Sequence, residues 1–253
     1  MDIVPLVSGF PAASDRGVLG WSSCVLLKGS VPMLFDTLGY PERAVLLRRL
    51  AENGVEADQV GAVFLSHFHF DHAVNYRLFP NAALYLHEIE VAYAEAHHRD
   101  DLAIPIEVLS DLRDTGRLRL LRGESGTAEG VEWFLAPGHT EGLYALRIPQ
   151  GEATWVLASD AVKNLAELRS GRVAMTRDAG ASERSIARIA SIADVILPGH
   201  DRPVAVTRGP EGARFRPLGS SEVTIRLADG VPGQARAWRL SLGDDHESPT
   251  RPR

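Results

Sequence analysis

The stretch Val60-Gly61-Ala62-Val63-Phe64-Leu65-Ser66-His67-Phe68-His69-Phe70-Asp71-His72 passes from an apolar run directly into three imidazoles and a carboxylate. The apolar part, rich in β-branched and aromatic residues, reads as a buried strand. The polar part is a poor way to build a core, because each buried polar group lacking a partner costs free energy. It is a good way to hold a divalent metal: imidazole nitrogen and carboxylate oxygen suit zinc, iron or manganese. A strand that ends in such a cluster presents it at the rim of a sheet, where substrate can reach it. The chain therefore reads first as a metal-dependent enzyme.

Three further segments repeat this design: Phe134-Leu-Ala-Pro-Gly-His139-Thr140, Val156-Leu-Ala-Ser-Asp160 and Val195-Ile-Leu-Pro-Gly-His200-Asp201. In each, an apolar strand stops and the next residues deliver one His or Asp, twice after a Pro-Gly pair that turns the backbone sharply. Four separate strand ends thus supply candidate ligands.

The bulk composition fits one catalytic domain. A chain of 253 residues with 45% hydrophobic and 24% charged residues can bury a substantial core. The net charge of −6 gives no reason to expect affinity for nucleic acid. One cysteine, Cys24, excludes an internal disulfide and fits a reducing compartment. No apolar run approaches the roughly 20 residues of a membrane span. The expectation is a soluble cytoplasmic enzyme with a small-molecule substrate and neither nucleic-acid nor membrane partners.

Short β-like runs alternate with helical ones. Residues 3–7, 22–27, 31–35, 60–65, 82–86, 117–121, 131–136, 143–148, 154–158 and 195–197 read as strands. Helical text follows Pro41, spans about 71–79, fills 87–114 with a break at Ile104-Pro105, and returns at 182–192. Leu46, Leu47 and Leu50, and Ile186 and Ile189, read as core stripes; His87, His97, His98 and His246 read as solvated. Residues 208–220, rich in Gly, Pro and Arg, lead into two strands, 222–227 and 235–240, around the turn Asp229-Gly230. The expected organisation is a catalytic domain over 1–207, a β extension of the same domain over 208–242 and a disordered tail over 243–253.

The series H-x-H-x-D-H, P-G-H-T, S-D and P-G-H, in that order and at comparable intervals, resembles the metallo-β-lactamase superfamily, in particular its glyoxalase II and lactonase-like group. The resemblance covers most of residues 3–203. It implies an α/β fold, the αββα sandwich, with two sheets covered by helices and metals in a groove at one edge. By that resemblance His67, His69 and His139 would bind one cation, Asp71, His72 and His200 another, and Asp160 would bridge them. Asp36, in Leu34-Phe35-Asp36-Thr37, matches the family's early Asp-Thr element, in which the Asp supports the site from behind its ligands.

The chemistry explains such a set. Two cations about 3.5–4 Å apart can share a water, lower its pKa toward about 7 and polarise the oxygen under attack. Asp71 and Asp160 are the candidate catalytic carboxylates; Asp71 beside the water is placed to orient it or handle its proton. The expected cofactors are two divalent ions, zinc first, with iron or manganese as alternatives. The expected activity is hydrolysis of a small ester, thioester or lactone by a metal-bridging hydroxide. Phosphodiester hydrolysis and mononuclear iron sulfur oxygenation are the other enzymatic readings, and a non-enzymatic metal-binding protein is the reading of a different class.

Some departures from the family pattern narrow the field. Position 74 is Val where many relatives place Gly, and His69 stands where flavin-linked di-iron relatives place Glu. Lys163 occupies the position at which acyl-homoserine lactonases usually carry Tyr, and no long helical C-terminal domain of the glyoxalase II kind follows. Lys163 is the candidate contact for an anionic substrate, with a solvated loop lysine as the alternative. The loop 10–21 is the candidate lid, with Trp21 covering an apolar group or packing as core. Tyr93, Leu102 and Ile104 could line the opposite wall, and the C-terminal hairpin could pair subunits into a homodimer.

Overall fold

Strand alternation sets the architecture. The computed structural model describes residues 1–220, 222–227 and 236–242; the turn at 229–230, His246 and the tail at 243–253 lie outside them. The chain opens with β1 (Asp2–Val7), a small hairpin of β2 (Ala13–Ser14) and β3 (Gly17–Val18), then β4 (Cys24–Lys28) and β5 (Met33–Phe35). Next come α1 (Arg43–Glu52), β6 (Ala62–Phe64), α2 (Phe70–Ala73), β7 (Ala83–His87), α3 (Glu88–His97), α4 (Ile106–Asp114) and β8 (Leu118–Leu121). The second half comprises β9 (Ser125–Ala128), β10 (Val131–Leu135), β11 (Tyr144–Gln150), β12 (Ala153–Ser159), α5 (Leu165–Ser170), α6 (Ala179–Ile192), β13 (Val195–Pro198), β14 (Val204–Gly209) and β15 (Gly212–Pro217), followed by the pair β16 (Glu222–Leu227) and β17 (Arg236–Ser241).

Two large sheets result, ordered β1-β4-β5-β6-β7-β8 and β15-β14-β13-β12-β11-β10-β9. Successive side chains of one strand enter different layers, as the period of two requires. Val25 and Leu27 of β4 join Phe35, Phe64, Trp133, Tyr144, Leu146 and Leu157 between the sheets. Cys24 and Leu26 of the same strand face the other way, into a cluster with Leu46 and Leu50 of α1 and Leu109 and Leu112 of α4. Val156 and Ala158 of β12 meet Ile186 and Ile189 of α6 in a third cluster. Three apolar interfaces separate four layers, helix, sheet, sheet and helix: the αββα sandwich.

Several local expectations change. On α1, Leu46 and Leu50 are buried while Leu47 is exposed, because i and i+4 share a face and i+1 does not. His87 is fully buried, not solvated: it caps α3 by accepting the Ile89 N–H and shares a hydrogen bond with the Gly123 carbonyl. Within 204–217, where no strand was expected, β14 and β15 extend the second sheet. The pair β16–β17 forms a separate two-stranded sheet. Neither β9 nor α5 was expected; β9 is short, exposed and Gly-containing, and α5 has only six residues.

Topology sets where the site can be. β5, β6 and β7 are parallel, and β12 is parallel to β13, so the carboxyl ends within each set emerge on one edge. At that edge the sheets are tied directly: Tyr144 N–H donates to the Ser66 carbonyl and Ser23 N–H to the Gly199 carbonyl.

Candidate metal centre

The end of β6 delivers His67 and His69, and α2 then carries Asp71 and His72. The turn after β10 delivers His139, the end of β12 Asp160 and the end of β13 His200. Both Pro-Gly turns have a steric cause. A Cβ on Gly199 would lie 2.0 Å from Asp160 Oδ1, and Gly138, at φ +139°, would press one against Ser182.

All seven predicted ligands meet in one place. One ligand atom each from His67, His69 and His139 lie within 4.8 Å of one another; the same holds for Asp71, His72 and His200, and for His67, His72 and Asp160. Asp160 stands between the two halves, with Oδ2 3.3 Å from His139 Nε2 and Oδ1 3.4 and 3.3 Å from His72 and His200 Nε2. His67 Nε2, His72 Nε2 and Asp160 Oδ1 are buried without a hydrogen-bond partner. Three convergent orphan ligand atoms are a donor set that a divalent cation would satisfy, so these residues fit a metal.

Each imidazole is aimed by its other nitrogen, the arrangement that fixes ring orientation in metal sites. His67 Nδ1 is 3.0 Å from Ser66 Oγ, His69 Nε2 is 2.9 Å from Asp101, and His72 Nδ1 is 2.9 Å from Asp36. His139 Nδ1 meets the Met175 carbonyl at 3.0 Å and His200 Nδ1 the Trp21 carbonyl at 3.1 Å. Asp36 is the hub: it also accepts from the Ser66 N–H, the Ser66 hydroxyl and the Ser159 hydroxyl. It holds this position at φ +61°, a left-handed backbone that Asp tolerates better than most residues.

Electrostatics separates the halves. Burial, then neighbouring imidazoles, holds His67 well below the ordinary imidazole range, and burial does the same to His139. Burial also opposes charge on His72, but the carboxylates of Asp71, Asp160 and Asp36 override it and push the group up to about 10. His200 is raised against burial by Asp160 and Asp71.

The family model for the metallo-beta-lactamase superfamily matches residues 19–200. The chain belongs to the metallo-β-lactamase superfamily. Within it, the chain is similar to "Metallo-beta-lactamase domain-containing protein 1" of Mus musculus, 33% identical over 80% of this chain and 74% of the relative. The Homo sapiens protein of the same name is 32% identical over 87% and 76%. Among solved structures, AidC, described as a dizinc quorum-quenching lactonase, shares the fold with TM-score 0.65 and 21% identity over 80% of this chain and 81% of its own. The superfamily fold and the His/Asp cluster support a metal-dependent hydrolase in general terms.

Two expectations at the rim of this metallo-β-lactamase site change in detail. Lys163 is neither solvated nor a free cation: it is 5% exposed, and its ammonium lies 3.0 Å from Glu167 Oε1. Its backbone serves the site too, for its carbonyl accepts the His200 N–H and its own N–H donates to Glu167. Trp21 is half-buried, stacked on Phe10 at 5.3 Å with its indole N–H on the Ser8 carbonyl, so it forms a fixed lip. Of the expected far wall, Tyr93 and Ile104 are buried while Leu102 is exposed.

Sequence reasoning missed Asp101, which aims His69 and is held by the Tyr93 hydroxyl, and Glu90. Glu90 is fully buried and accepts from the Phe68 N–H, the Thr140 hydroxyl and the Gly142 N–H, joining the two ligand loops. Burial raises its carboxyl above the usual range. No local pattern marks these residues, because each acts on a ligand distant in sequence.

Among the described residues no helix is long and apolar enough to cross a membrane.

Proposed function

We propose that the protein is a binuclear metallohydrolase, with zinc the first candidate metal, that cleaves a small ester, thioester or lactone. The observation that carries this reading is the convergence of three buried, unpartnered ligand atoms, on His67, His72 and Asp160, beside a partly open edge at Asp71 and His200. The first group would be held by His67, His69 and His139, the second by Asp71, His72 and His200, with Asp160 between them. A divalent pair supplies Lewis acidity and lowers the pKa of water.

The protein's own residues supply position and proton handling. Ser66, Asp101, Asp36, Met175 and Trp21 hold the five rings, so little reorganisation is needed when a substrate arrives. Asp71 is the more open of the two carboxylates, at 22% side-chain exposure against 5% for Asp160. It is therefore the one placed to take a proton from incoming water and return it to the leaving alcohol or thiol.

Acyl over phosphoryl substrates is favoured by charge at the rim. Lys163 is paired with Glu167 and Arg177 with Asp100, so neither presents a free charge to a phosphate. Elemental analysis of protein purified without added metal, followed by matched panels of acyl, thioacyl and phosphate esters, tests the reading. The expected result is close to two metals per chain and turnover on acyl or thioacyl esters that a chelator abolishes. Turnover confined to phosphodiesters, or metal-loaded protein inert on all panels, would overturn it.

A further inference from the structure

A neutral imidazole carries its proton on one nitrogen and offers the other, bare, to a cation. The partner of the outer nitrogen decides which form is present. Four of the five rings of the centre face groups that only accept. His139 Nδ1 meets the Met175 carbonyl and His200 Nδ1 the Trp21 carbonyl. His72 Nδ1 meets the Asp36 carboxylate and His69 Nε2 the Asp101 carboxylate. Each of these partners holds a proton on the outer nitrogen and leaves the inner one bare in the neutral ring. The consequence is visible where His69 Nδ1 and His139 Nε2 stand 3.0 Å apart: with both outer protons in place, two lone pairs face each other, which a shared cation would relieve.

His67 is the exception. Its Nδ1 lies 3.0 Å from the Ser66 hydroxyl, a group that donates or accepts with equal ease. If Ser66 donates to Nδ1, the ring proton sits on Nε2, which then cannot ligate. That form has an attraction of its own, because the ring converges with the Asp160 carboxylate, toward which an inward N–H would be drawn. The choice is made one bond further out. Ser66 Oγ is 2.9 Å from Asp36 Oδ2 and 2.7 Å from Ser159 Oγ, and Ser159 Oγ is 2.9 Å from the same Asp36 oxygen. A hydroxyl has one proton, and a bond to a carboxylate is roughly twice as strong as one between neutral groups. Whether Ser66 sends its proton to Asp36 directly or through Ser159, its oxygen is left to accept from His67 Nδ1. Asp36 is not free to turn away, since its Oδ1 accepts the Ser66 N–H at 2.8 Å. Ser159 reaches this point at φ +45° and Asp36 at φ +61°, two left-handed backbones from opposite sheets converging on one set of hydrogen bonds.

We infer that Ser66 is a positioning residue which, with Ser159 beside it, relays the polarity of Asp36 to His67, fixing the ring proton on Nδ1 and leaving Nε2 bare for a cation. One carboxylate thereby sets the ligating form of a ring in each half, His72 by direct contact and His67 at one remove. The inference rests on the metal-site part of the hydrolase reading. It gives the two serines a task that the ligand set alone does not require: hydroxyls that merely paired with Asp36 would leave the His67 proton where it is when they were removed.

The test is NMR of isotope-labelled histidine ring nitrogens in the metal-stripped full chain at mildly alkaline pH, where the two neutral forms have distinct nitrogen shifts. His67 is assigned by the resonances missing from His67→Gln. In the parent it should carry its proton on Nδ1 alone. Ser66→Thr keeps the hydroxyl and should keep that form, whereas Ser66→Ala should release it, so that the form protonated on Nε2 predominates. Asp36→Asn keeps the shape but turns an amide N–H toward the hydroxyls; Ser66 must then give its proton to His67, and the Nε2 form should again predominate. Zinc affinity of the half containing His67, His69 and His139, from competition with a chromophoric chelator, should fall roughly 10–100-fold in Ser66→Ala and stay within about twofold in Ser66→Thr. A parent ring protonated on Nε2 or on both nitrogens would overturn the relay, and so would a proton that stays on Nδ1 in either Ser66→Ala or Asp36→Asn. The parent spectrum needs no substitution, so the assignment can fail even where a variant does not fold. Zinc uptake and turnover test the hydrolase reading, whereas the ring proton is read without metal or substrate, so each can fail alone.

Discussion

The two halves of the candidate metal centre share imidazole ligands and are held by different chemistry. Around His67, His69 and His139 the outer partners are a hydroxyl, one carboxylate and a carbonyl. Around His72 and His200 three carboxylates gather, Asp36, Asp71 and Asp160. Without metal, burial keeps His67 and His139 neutral, the ligating form, while the other half retains a proton on His72 that a cation must displace. Burial dominates one half and carboxylate charge the other. The fold thereby separates a half ready for metal from a half in which metal and proton compete.

The largest effect should come from removing the hub of the carboxylate half. Asp36→Ala leaves His72 Nδ1, the Ser66 N–H and hydroxyl and the Ser159 hydroxyl without their shared acceptor. Loss of one partner from a buried charged network costs about 3–5 kcal/mol. Denaturant unfolding should show a loss of that order, and elemental analysis should show one metal or none per chain. Two metals and an unchanged midpoint would mean that the halves do not depend on their outer partners in the way the geometry implies.

The second effect is on pH. His72 retains its proton up to about 10, so cation binding in its half expels that proton, and affinity should strengthen as pH rises and weaken as it falls. The slope should be about tenfold per pH unit between 6.5 and 9, from one proton exchanged per cation. His67 and His139 are already neutral in this range, so their half should respond little. Competition with a chromophoric chelator, corrected for the chelator's own protonation, measures both affinities. Two affinities that fall in parallel on acidification would erase the distinction.

Asp101→Asn probes the imidazole half. The amide keeps the shape but not the charge that holds His69, and outer-partner losses of this kind weaken metal affinity roughly 10–100-fold. The loss should fall on one half only. Equal weakening of both affinities would make the centre one cooperative unit.

How much of this was legible in the sequence follows from how local each feature is. The seven candidate ligands sit at strand ends, where apolar text stops abruptly before His or Asp, and that signal is contained in a few consecutive residues. Asp36 was legible through its Asp-Thr neighbourhood at the end of β5. Asp101, Glu90 and the carbonyls of Met175 and Trp21 were not, because their partners lie 32 residues away in the case of Asp101 and His69, and 50 for Glu90 and Thr140. Strand and helix text alternate along the chain, but the αββα sandwich itself followed from the motifs' resemblance to the superfamily. The strands of 204–217 escaped because Gly, Pro and Arg suit an exposed edge hairpin as well as they suit a loop.

The smallest effect on stability is expected at the buried pair beside the imidazole half, and it decides what Lys163 does. The Lys163 charge is among the influences that lower His139, and Asp160 in turn acts on Glu167, so the pair is electrostatically part of the centre. Lys163→Met alone strands a buried carboxylate and should destabilise strongly, by about 3–5 kcal/mol, which confounds any kinetic reading. Lys163→Met combined with Glu167→Leu removes both charges at similar volume, and such replacements are often neutral or stabilising. In that double variant, the KM of an ester with an anionic acyl group, set against that of its neutral analogue, isolates the substrate role. An unchanged ratio means the ammonium only neutralises Glu167 and the backbone of Lys163 does its work on His200. A ratio raised several-fold means that an arriving anion competes with Glu167 for the ammonium, and the imidazole half then has a charged group of its own to set against the carboxylates of its neighbour.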